Sequence, residues 1–66
     1  MTADLETMAS EITETLTTMQ IDALGQAAGA AGDTDACELC VAAVDGDEDA
    51  RVEVGYIIAR ARMLAA

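Results

Sequence analysis

Nearly the same five-residue phrase occurs twice in this chain, with its two copies starting fourteen residues apart. The copies are Gly32-Asp33-Thr34-Asp35-Ala36 and Gly46-Asp47-Glu48-Asp49-Ala50. Glycine readily adopts the left-handed conformation that ends many helices, and an Asp or Thr just after it can cap a new helix. Each phrase therefore predicts a helix end followed at once by a helix start. The stretch from Cys37 to Val44 is then the middle of a short helix.

Upstream of the first phrase, the apolar residues change faces partway along the chain. The first stripe is Leu5, Met8, Ile12, Leu16 and Met19, and the second is Ile21, Leu24 and Ala28. At about 100° per residue, these stripes lie on different sides of one straight helix. We therefore expect a break near Thr18, with Thr2 capping the first helix and Thr18 the second. The alternative is one long helix that uses a different face in each half.

Helical spacing also predicts which faces are buried. In the third helix the predicted buried face is Cys37, Cys40, Val41 and Val44, with Leu39 on the other side. In the last helix the predicted inner stripe is Ala50, Val54, Ile57, Ile58, Ala61, Leu64 and Ala65. A second apolar line, about 180° away, is Val52, Tyr56, Ala59 and Met63. A helix that is apolar on two sides is central or lies at an interface, and we expect both roles here.

Composition indicates the fold class. The chain has no Pro and little support for strands, and good helix formers dominate it. We predict an all-α fold, a single compact bundle of three to four short helices at 1–18, 19–31, 34–45 and 48–65. Gly25 and Gly29, four residues apart, would permit close helix approach. Because 66 residues with one aromatic side chain form a marginal core, we also predict a homodimer.

The charge of the chain is strongly negative and unevenly distributed. Its formal net charge is −10, and residues 1–50 contain twelve acidic residues but no Lys or Arg. A mostly acidic surface repels phosphates, so direct binding of nucleic acid is not expected. Three interpretations of the acidity stay open. They are solubility or adaptation to a salty cytosol, attraction to a basic protein surface, and mimicry of a nucleic acid backbone.

The sequence carries no sign of export or of membrane insertion. Residues 1–6 are acidic and lack the basic-then-apolar pattern of a signal peptide. No apolar run approaches the roughly 18 residues that a membrane-spanning helix needs. We therefore expect a cytoplasmic protein with both cysteines reduced.

Cys37 and Cys40 form the clearest chemical motif. A zinc site needs four ligands, so with no His and no further Cys two chains would have to share one metal. Thiol redox chemistry usually accompanies a βαβ pattern, which is not visible here, and a disulfide at this spacing in a helix would be strained. The simplest interpretation is that both thiols serve as small apolar residues on a buried face.

Other patterns do not complete a site. Asp45, Asp47 and Asp49 match the first ligands of a calcium-binding loop, but Ala50 and Tyr56 stand where that loop needs Gly and Glu. Ser10, the only Ser, has no candidate base and no attachment motif of a carrier protein at a helix start. We expect no catalytic activity and no cofactor.

A longer pattern resembles small helical proteins of phages and prophages. It consists of Ala30-Ala31-Gly32-Asp33, then Cys37 and Cys40, then Val44-Asp45-Gly46-Asp47, within residues 19–62. The resemblance implies no site residues and no activity. It suggests a phage accessory protein, a group whose small acidic members include inhibitors of host defence nucleases, some of them nucleic acid mimics.

Together these observations predict a small acidic, non-enzymatic protein that binds a basic surface of a partner protein. The predicted partner-binding acids are Asp33, Asp35, Asp45, Asp47, Glu48 and Asp49. The predicted apolar face for an oligomer or partner contact is Val52, Tyr56 and Met63. The first alternative is a metal-binding dimer built on Cys37 and Cys40. The second is a halophile's helical domain whose acidity serves only solvation.

Overall fold

The computed structural model describes residues 4–65. These residues form four α-helices and no strand: α1 Leu5–Thr15, α2 Thr18–Ala30, α3 Thr34–Val44 and α4 Glu48–Ala65. The Cα radius of gyration is 11.5 Å, close to the roughly 11 Å expected for a compact domain of this length. The prediction of an all-α bundle is confirmed.

The chain does break where the apolar face changes, but one residue earlier than predicted, so Met19 of the first stripe lies in α2 and is 84% exposed. Thr17, not Thr18, takes the extended backbone and caps α2. Its Oγ1 accepts a hydrogen bond from the N–H of Gln20 at 3.2 Å, and Gln20 Oε1 accepts one from the N–H of Thr17 at 2.8 Å. This reciprocal capping box needs Gln three residues after the cap, which fixes the start at Thr17.

The cap of α1 is Asp4. Its Oδ1 accepts a hydrogen bond from the backbone N–H of Thr7 at 2.7 Å. That bond, and then one from the Thr7 side chain, hold the pKa of Asp4 below its ordinary value, because both favour the ionised carboxylate. The predicted cap, Thr2, lies outside the described residues.

Both copies of the repeated phrase form the same joint. Gly32 and Gly46 have φ values of +81° and +104°. At the first joint the N–H of Asp33 donates to the carbonyl of Ala28 at 2.9 Å, and at the second the N–H of Asp47 donates to that of Ala42 at 3.1 Å. These are the hydrogen bonds of Schellman helix ends. The same Asp residues then cap α3 and α4, accepting from the N–H groups of Ala36 and Ala50.

The helices pack in the spatial order α1, α4, α3, α2. Extensive contacts join α1 to α4, α4 to α3, and α3 to α2, so the last helix is central, as expected. The buried residues are mostly small and come from all four helices and the α1–α2 joint. They are Ala9, Ile12, Leu16, Ile21, Cys40, Ala43, Ala50, Val54 and Ala59, together with Gly25 and Gly55.

The predicted buried face of α3 is wrong in part. Val41 is 57% exposed and Val44 41% exposed, whereas Ala43 is buried and Leu39 packs against the core. The reason is that α3 lies between α2 and α4 and must bury two sides. Cys40 serves the α2 side, where Gly25 faces it, and Leu39 shares a groove with α4 residues.

The predicted inner stripe of α4 also needs correction. Ala50 and Val54 are buried as predicted, but Gly55 and Ala59 complete the buried face, and Ala59 had been assigned to the outer line. A Cβ on Gly55 would lie 3.0 Å from the backbone oxygen of Ala9 in α1, and closer still to the Thr13 hydroxyl. The close approach to α1 therefore turns the Gly55 and Ala59 side of α4 inward, away from the predicted orientation of this helix. Ala61, Leu64 and Ala65, predicted as inner residues, are exposed.

Candidate interaction surfaces

The acidic residues all lie at the surface. Each of the thirteen Asp and Glu residues falls within residues 4–65, and each is exposed. The core of this part of the chain contains no buried polar or charged residue. The carboxylates are therefore all available to solvent or to a partner.

The structure divides the six predicted partner-binding acids into two groups. Asp33 and Asp35 lie at the start of α3, and the other four lie at its end. A helix of 11 residues separates the groups by roughly 16 Å. Two of the six, Asp33 and Asp47, already use one carboxylate oxygen on a backbone N–H as helix caps.

Tertiary packing adds an acid to each group. Glu53 of α4 lines a shallow groove of 370 Å³ together with Asp33 and Asp35. At the opposite end, Glu14 of α1 and Glu48 of α4 line a groove of 310 Å³, which the half-buried Arg51 also lines. Sequence reasoning missed Glu14 and Glu53 because each is distant in sequence from the group of acids that it joins in the fold.

The three positive charges are not equally available. Arg51 is half-buried, and its Nη2 donates to the backbone oxygen of Thr13 at 2.9 Å and to that of Leu16. These contacts cap the C-terminal end of α1, where free carbonyls favour a cation. Arg60 and Arg62 are exposed near the end of α4. The surface away from that end is therefore strongly negative.

The three residues of the predicted apolar face differ in exposure and in the groove that they line. Val52 is 44% exposed, and Tyr56 is half-buried and packs against the core. These two residues line a groove of 280 Å³ between α1 and α4, with Glu6 and Ser10 on the α1 side. Met63, 40% exposed, lies seven residues beyond Tyr56, about 10 Å farther along the helix.

A groove between α2 and α3 is the main surface that the sequence did not reveal. It has a volume of 390 Å³ and is lined by Gly25 and Gly29 of α2 and by Cys37, Val41 and Val44 of α3, among others. The two glycines contribute no side chain to the groove, and the exposed valines form its apolar wall. The Gly25/Gly29 spacing is a sequence signal for this groove, but the apolar pattern of α3 places Val41 and Val44 in the core.

The same groove has an acidic end. Asp22, near the start of α2, and Asp45, which ends α3, both line it. Gln26 holds the Asp22 carboxylate by donating a hydrogen bond from Nε2 to Oδ2 at 3.0 Å. From these acids the groove extends to Gly29, about 10 Å along α2. A ligand in the groove would contact carboxylates at this end and the apolar wall farther along.

The two thiols differ in environment. Both are free, with Cys40 buried at 2% exposure against Gly25 and Cys37 half-buried at the groove. Burial, and secondarily the charge of a nearby Cys37 thiolate, raise the pKa of Cys40. Over residues 4–65, no three or more His, Cys, Asp or Glu side chains are grouped to hold a metal ion. A zinc shared between two chains would require α2 and α3 to separate around Cys40.

Comparison of the chain with protein-family models, curated proteins and solved structures found no match. Within the part of the chain that the structure describes, none of the helices combines the length and apolarity needed to cross a lipid bilayer.

Proposed function

We propose that this chain is a small, acidic, non-enzymatic interaction protein that binds a basic surface of a partner protein. The observation that carries the proposal is the exposure of all thirteen carboxylates, while one of three arginines is engaged within the fold. Charges arranged in this way attract a basic partner over a distance of about a Debye length and accelerate its association.

The two ends of α3 are the strongest candidates for the contact. One end presents Asp33, Asp35 and Glu53, and the other presents Asp45, Asp47, Glu48, Asp49 and Glu14. Their separation of roughly 16 Å lets one partner contact both groups. Acids on a rigid helix attract cations at lower entropic cost than acids on a flexible tail.

The resemblance to small phage and prophage proteins supports a more specific form of the proposal. In that form, the acidic groups occupy a partner site that otherwise binds nucleic acid phosphates, as on a nuclease of host defence. The chain would then compete with nucleic acid for its partner. If a short DNA duplex competes with the chain for the captured partner, the chain binds at a nucleic acid site. If the duplex does not compete, the chain binds another basic surface of the partner.

The test compares the wild-type chain with a variant that loses charge but keeps its helix caps. Asp35→Asn, Asp45→Asn, Glu48→Gln and Asp49→Gln together remove four charges and leave the capping residues Asp33 and Asp47 intact. We expect a labelled oligolysine peptide to bind the wild type, to bind the variant more weakly, and to dissociate as salt rises. Affinity that is equal for both chains and insensitive to salt would contradict the proposal.

The same exposure of acids would suit a halophile's domain whose charge serves only solvation. The two functions differ in the behaviour of the isolated chain. A solvation role predicts loss of helical circular dichroism when salt is removed, with no partner present. Retention of the helical signal at low salt, together with binding of the basic peptide, favours the interaction protein.

A further inference from the structure

The end of α4 extends beyond the helices that it packs against. α4 has 18 residues, whereas α1 and α3 have 11 each. Its start is aligned with the ends of both neighbours, because Asp47 closes the α3–α4 joint and Arg51 contacts the carbonyls that end α1. About 12 residues of α4 are thus covered, and every residue from Arg60 to Ala65 is exposed.

This overhang, residues 60–65, is basic and apolar on one face. Leu64 is 89% exposed and Met63 40% exposed. Arg60 precedes them by three and four residues, so the three side chains lie on one side of the helix. Arg62 lies off that face. In contrast to the rest of the described surface, the overhang contributes positive charge beside exposed apolar side chains.

The overhang and the α2/α3 groove match in charge order, polarity and length. The groove presents Asp22 and Asp45 at one end and then the exposed Val41. The docking face of the overhang presents Arg60 and then Met63 and Leu64. Six helical residues measure about 9 Å, close to the 10 Å or so from Asp22 to Gly29.

We propose that the α2/α3 groove binds the α4 overhang of a second copy of this chain, with Arg60 at Asp22 and Asp45 and with Leu64 against Val41. The contact covers apolar side chains that the single chain leaves exposed, and it pairs the exposed Arg60 with carboxylates. Each copy has one groove and one overhang, so a closed pair can make both contacts at once. The inference does not depend on the basic partner proposed above.

The test is the association state of the full chain, measured by sedimentation velocity over a concentration series. Val41→Asp places a charge in the apolar wall of the groove, and Leu64→Asp places a charge on the apolar side of the overhang. Each should weaken self-association at least about tenfold, since each buries a charge against an apolar surface. Val52→Asp, an exposed valine in the α1/α4 groove, is the control for the first variant. Arg60→Glu should also weaken self-association, because it places an acid beside Asp22 and Asp45, and Arg62→Glu, off the docking face, is its control.

A mixing experiment identifies the two surfaces as partners of each other. The Val41→Asp chain keeps its overhang and the Leu64→Asp chain keeps its groove, so an equimolar mixture should contain a two-copy species that neither variant forms alone. Circular dichroism confirms that the variants fold, which is expected because both positions are exposed.

Three results would overturn the inference. The first is a wild-type chain that remains monomeric throughout the concentration series. The second is association that Val52→Asp disrupts and Val41→Asp does not, which would place the interface between α1 and α4. The third is a mixture that behaves as the sum of its two components. If a monomeric wild type binds a synthetic Lys–Leu amphipathic helix through Val41, the groove takes a basic helix from another protein instead.

Discussion

A Cβ atom placed on Gly25 would lie 3.0 Å from the Cβ of Cys40. The contact brings the backbone of α2 close to α3, and the α2/α3 groove lies beside it. Four residues later, a Cβ on Gly29 would meet only the Sγ of Cys37, at 3.7 Å. The two glycines thus lie four residues apart in the same helix, but only Gly29 has room for a side chain.

Gly29→Ala should stabilise the protein and Gly25→Ala should not. Alanine in a helix adds up to about 1 kcal/mol by restricting the unfolded chain, and at residue 29 the contact is ordinary. At residue 25 the α3 backbone would have to shift to accommodate the methyl group. We expect urea denaturation to show a higher free energy of unfolding for Gly29→Ala and an unchanged or lower one for Gly25→Ala. An equal gain for both would show that α2 and α3 are not tightly packed.

Gly55→Ala should destabilise the contact of α4 with α1. The new methyl group would overlap the Thr13 hydroxyl and press on the Ala9 backbone oxygen, and overpacking of this kind costs about 1–3 kcal/mol. Thr13→Ala in the same chain removes the hydroxyl, so the double variant should recover part of the loss. Thermal denaturation of the two single variants and the double variant measures this coupling. Purely additive effects would contradict the close approach.

Arg51→Met should weaken the attachment of α1. It removes the hydrogen bonds to the Thr13 and Leu16 carbonyls, and a charged hydrogen bond of this kind contributes about 1.5–3 kcal/mol. Arg62→Met is the matched control, since it removes the same charge from an exposed position. We expect a lower denaturation midpoint for Arg51→Met alone. Equal effects would indicate that net charge, and not helix capping, is responsible.

Stability should decrease at alkaline pH because of Cys40. Its pKa is raised in the folded state above the ordinary value of 9.0, chiefly by burial. The unfolded chain therefore loses this proton at lower pH than the folded chain, and the stability present below about pH 9 is lost as pH rises toward the folded pKa. Denaturation midpoints measured from neutral to alkaline pH should fall less steeply for Cys40→Ala than for the wild type. An equal decline in the wild type and in Cys40→Ala would show that this thiol is not responsible.

The sequence was most informative where structure depends on neighbouring residues. The joints at Gly32 and Gly46 follow from glycine conformation and from Asp caps within a few residues, so they could be predicted. The predicted start of α2 differs from the observed one by a single residue, because both Thr17 and Thr18 can cap a helix. The Gln20 side chain decides between them. Its position three residues after Thr17 is the sequence signal that identifies Thr17 as the cap.

The faces of the helices were harder to predict because they depend on packing partners. An apolar stripe identifies a buried side only when a helix has one neighbour, and α3 has two. Val41 and Val44 were thus assigned to the core although they line a groove. Gly55 has no side chain and so contributes nothing to an apolar pattern. Arg51 did offer a signal, since a cation near the start of a helix opposes the helix dipole and indicates a specific acceptor elsewhere.

The order of the helices in space has a consequence for the time course of folding. α2, α3 and α4 are joined by two tight turns and pack against their neighbours in sequence, so their contacts close short loops. α1 makes its extensive contact with α4 instead, and its hydrogen bond from Arg51 to Thr13 spans 38 residues. Short-range contacts form quickly and long-range ones slowly. The first helix in the sequence is therefore expected to be the last to dock and the first to detach.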